Sequence, residues 1–475
     1  MGVKEIITAI SVLLLLFPST VKPRAVGGAQ PAGSAQSAGG AQGGAQGGAP
    51  GGAPGGGGGV TLDVVAQFGA KPDEKTDLSQ PLLNAWKEAC ASPAPSKIVI
   101  PAGTFLLSRA VLEGPCKGPV DIQVQGTIKA PPDPSHFKDD IWVMFNHIEG
   151  FTMSGGGIFD GQGALAWSKN DCHKNKKCTL FPINIRFNFL TNAYIHDITT
   201  KDSKQFNVNV LGCKNITFEH FTVTNPEHSL NTDGIHIGRS DGVTILHSEI
   251  KTGDDCVSLG DGSKNVVVNG ISCGPGHGIS IGSLGKFQGE EPVAGIKIAN
   301  CTITNTMNGV RIKSWPASYP GTASDMHFED ITMDNVSNPI IIDQQYCPWN
   351  QCDLKNPSRI KLSNISFKNI RGTAAGKEAV KLFCSAGFPC EGVELADIDL
   401  TYTGPDGPAI SQCSNVSPKL SGKQNPPICA APAATSPGGQ AGPAKASPGG
   451  KASPGGQAGP SKASPGGKAS PGATA

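Results

Sequence analysis

Between residues 231 and 314 the chain repeats one apolar-x-apolar core four times: Ile235-His236-Ile237, Val257-Ser258-Leu259, Ile279-Ser280-Ile281 and Val310-Arg311-Ile312. The first three cores begin 22 residues apart and the fourth follows after 31. Similar runs continue on both sides, with Ile98-Val99-Ile100, Ile122-Gln123-Val124 and Val208-Asn209-Val210 upstream and Met326-His327-Phe328, Ile360-Lys361-Leu362 and Val393-Glu394-Leu395 downstream. Alternation of this kind predicts short half-buried strands, and the Gly, Asn and Asp between them predict turns. A period of about 22 to 34 residues with several strands per repeat predicts a stacked solenoid. A β-sandwich would need tight hairpins, yet Asn-Gly between alternating runs is scarce. The expected fold is therefore all-β, a single-stranded right-handed parallel β-helix of about ten coils over residues 60–429. Ahead of it, Leu82, Leu83, Trp86 and Ala89 share one face of a helical segment that should cap the N-terminal end.

Placing the four cores in register aligns their polar residues. Two positions before each core stand Asp233, Asp255, His277 and Asn308; one before stand Gly234, Cys256, Gly278 and Gly309. Strict alternation would turn the first set inward, where each unpaired charge would cost several kcal/mol. Glycine at the intervening position permits a bend that turns them outward instead. His236, Ser258, Ser280 and Arg311, at the centre of each core, face outward with Lys313. The register thus predicts a column of Asp233, Asp255 and His277, with Asp254 beside it and Arg311 and Lys313 one coil further on. Carboxylates this close repel, so at least one should hold its proton. One protonated and one ionised carboxylate is what glycosidic hydrolysis requires. Each motif has a plainer reading: a turn for Asp254-Asp255, a satisfied turn residue for His277, a solvated strand face for Arg311 and Lys313. Their coincidence at one height of the repeat outweighs these, because a structural ladder more usually repeats one residue type.

Composition changes the picture mainly at the ends. The 63 glycines and 38 prolines concentrate there. Residues 1–25, with Lys4 ahead of an apolar run from Ile6 to Phe17, are expected to be a signal peptide; that run is shorter than the ~20 residues of a membrane span. Residues 26–59 repeat Gly-Gly-Ala-Gln and Gly-Gly-Ala-Pro, and residues 430–475 repeat Ser-Pro-Gly-Gly, so a flexible linker and a disordered tail are expected. Fourteen cysteines and five Asn-x-Ser/Thr sequons, at Asn215, Asn300, Asn335, Asn364 and Asn415, fit an oxidising, exported context. The spacings Cys172/Cys178, Cys384/Cys390 and Cys413/Cys429 suggest loop-closing disulfides rather than zinc ligands. The formal charge of +1 becomes −1 without Lys4, Glu5, Lys22 and Arg24, and about −5 without the four tail lysines, so the core lacks the basic footprint of a nucleic-acid binder.

The set Asn231-Thr232-Asp233, Gly253-Asp254-Asp255, Gly276-His277-Gly278 and Arg311-Ile312-Lys313 resembles the four signatures of the polygalacturonases, pectin-cleaving glycoside hydrolases. All four occur in order. Leu82 to Cys90, Gly155 to Gly163 and Asp202 to Phe206 are similar in particular to the plant pollen exopolygalacturonases; the repetitive ends lie outside that likeness. The resemblance implies inverting hydrolysis of α-1,4-linked galacturonate in pectin, with Asp254 as proton donor and Asp233 and Asp255 activating the water. His277 would tune the acid, and Arg311, Lys313 and Asn231 would bind substrate, the two cations taking the carboxylate next to the scissile bond. No metal and no cofactor is implied, and no membrane partner. The protein is expected to be a secreted monomer of the plant cell wall, exo-acting from the non-reducing end, with endo-cleavage and non-catalytic pectin binding as the competing readings. The rule linking inversion to widely spaced carboxyls sits in tension with adjacent Asp254 and Asp255.

Overall fold

The computed structural model describes residues 59–171, 181–348, 350–402 and 404–429. The signal peptide, the linker, the C-terminal tail and the Cys172/Cys178 pair lie outside the described residues. Within them the chain winds as a right-handed parallel β-helix. One coil shows the plan: Asp241–Leu246, Glu249–Lys251 and Val257–Leu259 each begin a new face, and each pairs in parallel with its counterpart one coil away. The third face is a sheet of eleven strands from Ala110–Glu113 to Ile410–Ser414, close to the ten coils expected. In the later coils the first two faces run together into long bent strands, Gly321–Val336, Ile360–Ala374 and Glu391–Tyr402.

Stacking follows the registered pattern. Val208, Ile235, Val257, Ile279, Val310, Ile340 and Val380 occupy successive rungs, all fully buried. Val210, Ile237, Leu259, Ile281, Ile312, Ile342 and Leu382 form the next column. Each such side chain contributes about 1.5–3 kcal/mol over its exposed state. Aromatic rungs behave likewise: Phe145 stacks on Phe187 at 5.4 Å and Phe328 on Phe367 at 4.9 Å.

The open N-terminal end of this core is covered by the helix Ser79–Ala91. Its buried face is Leu82, Ala85, Trp86 and Ala89; Leu83 is only half-buried, so Ala85 completes the stripe in its place. Trp86 lies edge-on to Phe145 at 6.4 Å and donates its indole N–H to the Glu113 carbonyl at 2.9 Å. The Cys384–Cys390 and Cys413–Cys429 disulfides are formed as their spacing suggested. Three more are present: Cys90–Cys116 and Cys256–Cys273 join residues that the fold brings together, and Cys347–Cys352 closes a short loop. Cys213 and Cys301 are buried free thiols, and burial pushes both up to about 11.

Candidate active site

The outward side of the eleven-stranded sheet carries the row Arg186, Asn209, His236, Ser258, Ser280, Arg311, one residue per coil. Neighbouring rungs lie about 4.8 Å apart. The turns entering these strands supply the remaining groups, and their backbones stack as well. The Asn207 N–H donates to the Asp233 carbonyl, the Gly234 N–H to that of Asp255 and the His277 N–H to that of Asp254. The predicted column of Asp233, Asp255 and His277 therefore exists at the level of the backbone, with Asp254 adjoining it.

The side chains depart from the expected open cleft. Asp233 and Asp255 are 6% and 1% exposed, because the outward row closes over them. Ser258 donates to Asp233 Oδ2 at 2.6 Å, and Ser280 donates to Asp255 Oδ1 at 2.8 Å. These two bonds show that the aspartates do share a side with the outward row. The reason given for that, a glycine just before each core, holds only in part. At Gly278, where φ is +82°, a Cβ would lie 2.0 Å from the Asn308 carbonyl, so glycine is needed for coils to approach. At the same offset Cys256 turns its side chain inward to the Cys273 disulfide, and Asp255 still faces out. The turn backbone as a whole sets the direction.

Arg311 and Lys313 hold Asp255 from one side: Arg311 Nη2 reaches Oδ1 and Lys313 Nζ reaches Oδ2, each at 2.8 Å. Arg311 Nε also donates to Ser280 Oγ at 3.0 Å. Burial alone would raise Asp255, but these two cations hold it well below the usual carboxylate range. Asp233 goes the other way. Burial pushes it well up, the Asp254 and Asp255 charges add to that, and the Ser258 hydroxyl only partly offsets them. The expected split, one carboxyl that keeps its proton beside one that stays ionised, is thus built by giving both cations to Asp255.

Asp254 is the most open of the three. It accepts from the Asp255 N–H at 2.8 Å through Oδ1, and the same oxygen lies 3.1 Å from His277 Nδ1. Burial by itself would lower His277, but the Asp254 hydrogen bond and the Asp254 and Asp255 charges lift it above an ordinary histidine. Single atoms of Asp254, Asp255 and His277 lie within 4.8 Å of one another, close enough to share a cation. Both oxygens of Asp255, however, are already engaged by Lys313 and Arg311, which supply that positive charge.

Asn231 is exposed on the turn two residues before Asp233, with φ +57°. Its neighbour Thr232 is buried and holds the turn, with Oγ1 2.9 Å from Thr252 Oγ1 and accepting from the Gly253 N–H at 3.1 Å. Four contributors escaped sequence reasoning as site residues. Ser258 and Ser280 stood in the right column without an assigned role. His236 bonds Ser258 at 2.8 Å through Nδ1, and burial brings its ring down to about 4, so it is neutral. Tyr346 arrives from the loop after Asn338–Asp343, where no repeat pattern marks it. Its ring lies 5.3 Å from Lys313 Nζ and 5.9 Å from the Arg311 guanidinium carbon, and 5.4 Å edge-on from Trp315.

The outward face of this parallel β-helix gathers three carboxylates and a histidine under an arginine and a lysine, a set able to supply both the acid and the base of a hydrolase. Residues 90–423 match the glycosyl hydrolases family 28, and the chain belongs to that family. It is 64% identical over 375 residues to a polygalacturonase of Gossypium hirsutum, spanning 79% of this chain and 92% of that one. It is 60% identical over 359 residues to an exopolygalacturonase of Oenothera organensis, 75% of this chain and 99% of that one. Among solved structures it resembles the endo-xylogalacturonan hydrolase of Aspergillus tubingensis, with TM-score 0.65, 26% identity and coverage of 76% and 100% of the two chains. The exopolygalacturonase of Thermotoga maritima shares the fold at TM-score 0.61 and 18% identity, with 76% and 91% covered.

Proposed function

We propose that this glycoside hydrolase is a polygalacturonase that cleaves α-1,4-galacturonosyl links of pectin with inversion, removing residues from a chain end. The observation that carries this reading is the division of labour among three aspartates: Asp255 ionised under Lys313 and Arg311, Asp233 buried behind it, and Asp254 more open and bonded to His277. Asp254 is the proton donor to the leaving oxygen, and His277, bonded to it, keeps that carboxyl oriented. Asp255 and Asp233 orient and deprotonate the attacking water, Asp233 acting in its ionised form. Arg311 and Lys313 take the substrate carboxylate beside the scissile bond, with Tyr346 against both cations; a uronate is the sugar that calls for such a pair. Asn231 binds substrate at the exposed turn.

Carboxylate oxygens of Asp254 and Asp255 lie within 4.8 Å of each other, closer than the ~6.5–9.5 Å between the paired carboxyls of most inverting enzymes. In this reading the base is the Asp233–Asp255 pair rather than Asp255 alone. Proton NMR of the first product formed tests it: the β-anomer is expected, and initial release of the α-anomer would overturn inversion. End-wise action is supported by the high identity to a protein named exopolygalacturonase. Monomer alone from the earliest time points on polygalacturonate is the expected product profile, and mixed oligomers would make the enzyme endo-acting. Wild-type protein that bound polygalacturonate yet released no reducing ends would leave only the non-catalytic reading. Among the described residues no helix is long and apolar enough to cross a membrane. Five disulfides among the described residues fit an oxidising, exported setting, and we propose the plant cell wall as its location and a monomer as its state.

A further inference from the structure

All five sequon asparagines occupy one kind of position. Asn215, Asn300, Asn335, Asn364 and Asn415 each have φ between +52° and +55°. Each donates its side-chain amide one coil back: to Oδ1 of Asn192, Asn269, Asn305 and Asp325, and to the Cys384 carbonyl. The sequons are thus a by-product of the coil. A left-handed turn residue that favours Asn, then an inward apolar residue, then an outward Ser or Thr, spells Asn-x-Ser/Thr without any selection for modification. The motif alone says nothing about which asparagines carry a glycan.

Asn215 differs from that general pattern by what surrounds it. It lines a surface dish of about 540 Å³ on the first face of the helix, with Pro119, Gly150, Asn192, Tyr194 and Thr217. That volume falls within the ~300–1,000 Å³ of ligand clefts. The catalytic row stands on a different sheet. Gly150, at φ +68°, is the second residue of the strand Glu149–Ser154, which pairs with Thr191–His196, where Asn192 is likewise second; having no side chain, Gly150 leaves the floor open. The wall is Tyr194, directly opposite Thr217 in the next coil. Tyr194 remains 39% exposed although one side of its ring is stacked on His196 at 4.5 Å, and its hydroxyl is fixed by Glu219. A large aromatic ring held rigid and open, ringed by amides and a hydroxyl, is the surface on which a pyranose packs its C–H face. The Asn215 Nδ2 spends one N–H on Asn192, and its second is the one a glycosidic bond replaces.

We propose that Asn215 carries an N-linked glycan whose first sugars pack in this dish against Tyr194, bracing two neighbouring coils. The proposal needs passage through a glycosylating secretory compartment and is independent of the catalytic assignment. The full chain is produced by secretion from cultured plant cells. Glycopeptide mass spectrometry should find Asn215 occupied, and Thr217→Ala, which removes the sequon but leaves the Asn215–Asn192 bond, should lower the melting temperature by about 3 °C or more, which for a folded core of this size corresponds to about 2 kcal/mol. In a Tyr194→Ala background, or in protein made with N-glycosylation blocked, the same substitution should shift melting by less than about 1 °C. Should Tyr194→Ala prevent secretion, the wild-type protein suffices: endoglycosidase release from native protein should be severalfold slower at Asn215 than at any other occupied sequon. An unmodified Asn215, a melting shift of equal size in both backgrounds, or equal release rates would each overturn the proposal.

Discussion

Replacing Ser258 by Ala removes one hydroxyl and should move the acid limb of the activity profile. Ser258 donates at 2.6 Å to Asp233 Oδ2, which obliges its oxygen to accept from His236 Nδ1–H at 2.8 Å. A hydrogen bond to a charged group contributes about 1.5–3 kcal/mol, and 1.36 kcal/mol corresponds to about one pKa unit. Asp233 is already raised by burial and by its two neighbouring carboxylates, and without Ser258 it should rise by about one to two units more. Since the proposed base role needs Asp233 ionised, kcat/KM on polygalacturonate below the optimum should fall roughly 10- to 100-fold, with less loss on the alkaline side. The stability signature has a definite sign. A carboxyl whose folded pKa lies above its unfolded value destabilises the fold once pH exceeds the unfolded value, so Ser258→Ala should lose more stability near pH 7 than near pH 3.5. The measurement is a pH series of initial rates by reducing-end assay, paired with urea melts at both pH values. An acid limb that stays in place while the protein remains folded would refute the reasoning that Ser258 sets Asp233.

The remaining predictions concern the cations, the histidine and the sulfur chemistry. Lys313→Met leaves Asp255 with Arg311 alone in a buried setting; stability should fall by about 2–4 kcal/mol at neutral pH, and the loss should shrink as pH drops through the depressed Asp255 range, well below 3.8. Denaturant melts across acid pH check this. His277→Gln should remove an alkaline limb placed above the ordinary histidine value of 6.5 and lower kcat by about 10²-fold or more; a pH profile that keeps that limb would assign it to another group. Cys256→Ser with Cys273→Ser opens a loop of 17-residue separation next to Asp255 and should cost about 3 kcal/mol in urea unfolding. Iodoacetamide at about pH 8 should leave Cys213 and Cys301 unlabelled in native protein and label both after unfolding, because buried thiols raised to about 11 are neither exposed nor ionised.

Several features of this protein were fixed by its sequence alone because they depend only on period and parity. Cores spaced by 22 residues dictate which residues stack on which, and Ile235, Val257 and Ile279 do occupy successive rungs. The same spacing aligns Asp233, Asp255 and His277 in the turns before those strands. The local cysteine pairs Cys384–Cys390 and Cys413–Cys429 were legible for a related reason, since short loops bring their own ends together. Tertiary structure decided what parity cannot. Side-chain direction in a turn depends on its dihedrals, so only the folded chain shows Asp233 and Asp255 facing the outward row yet buried beneath it. Partner choice is likewise three-dimensional: Arg311 and Lys313 are 56 and 58 residues from Asp255, and their joint pairing with it makes one carboxyl acidic while its neighbour Asp233 is pushed up. Tyr346 had no periodic signal, because a loop residue reaches the site only through where its coil leaves the sheet.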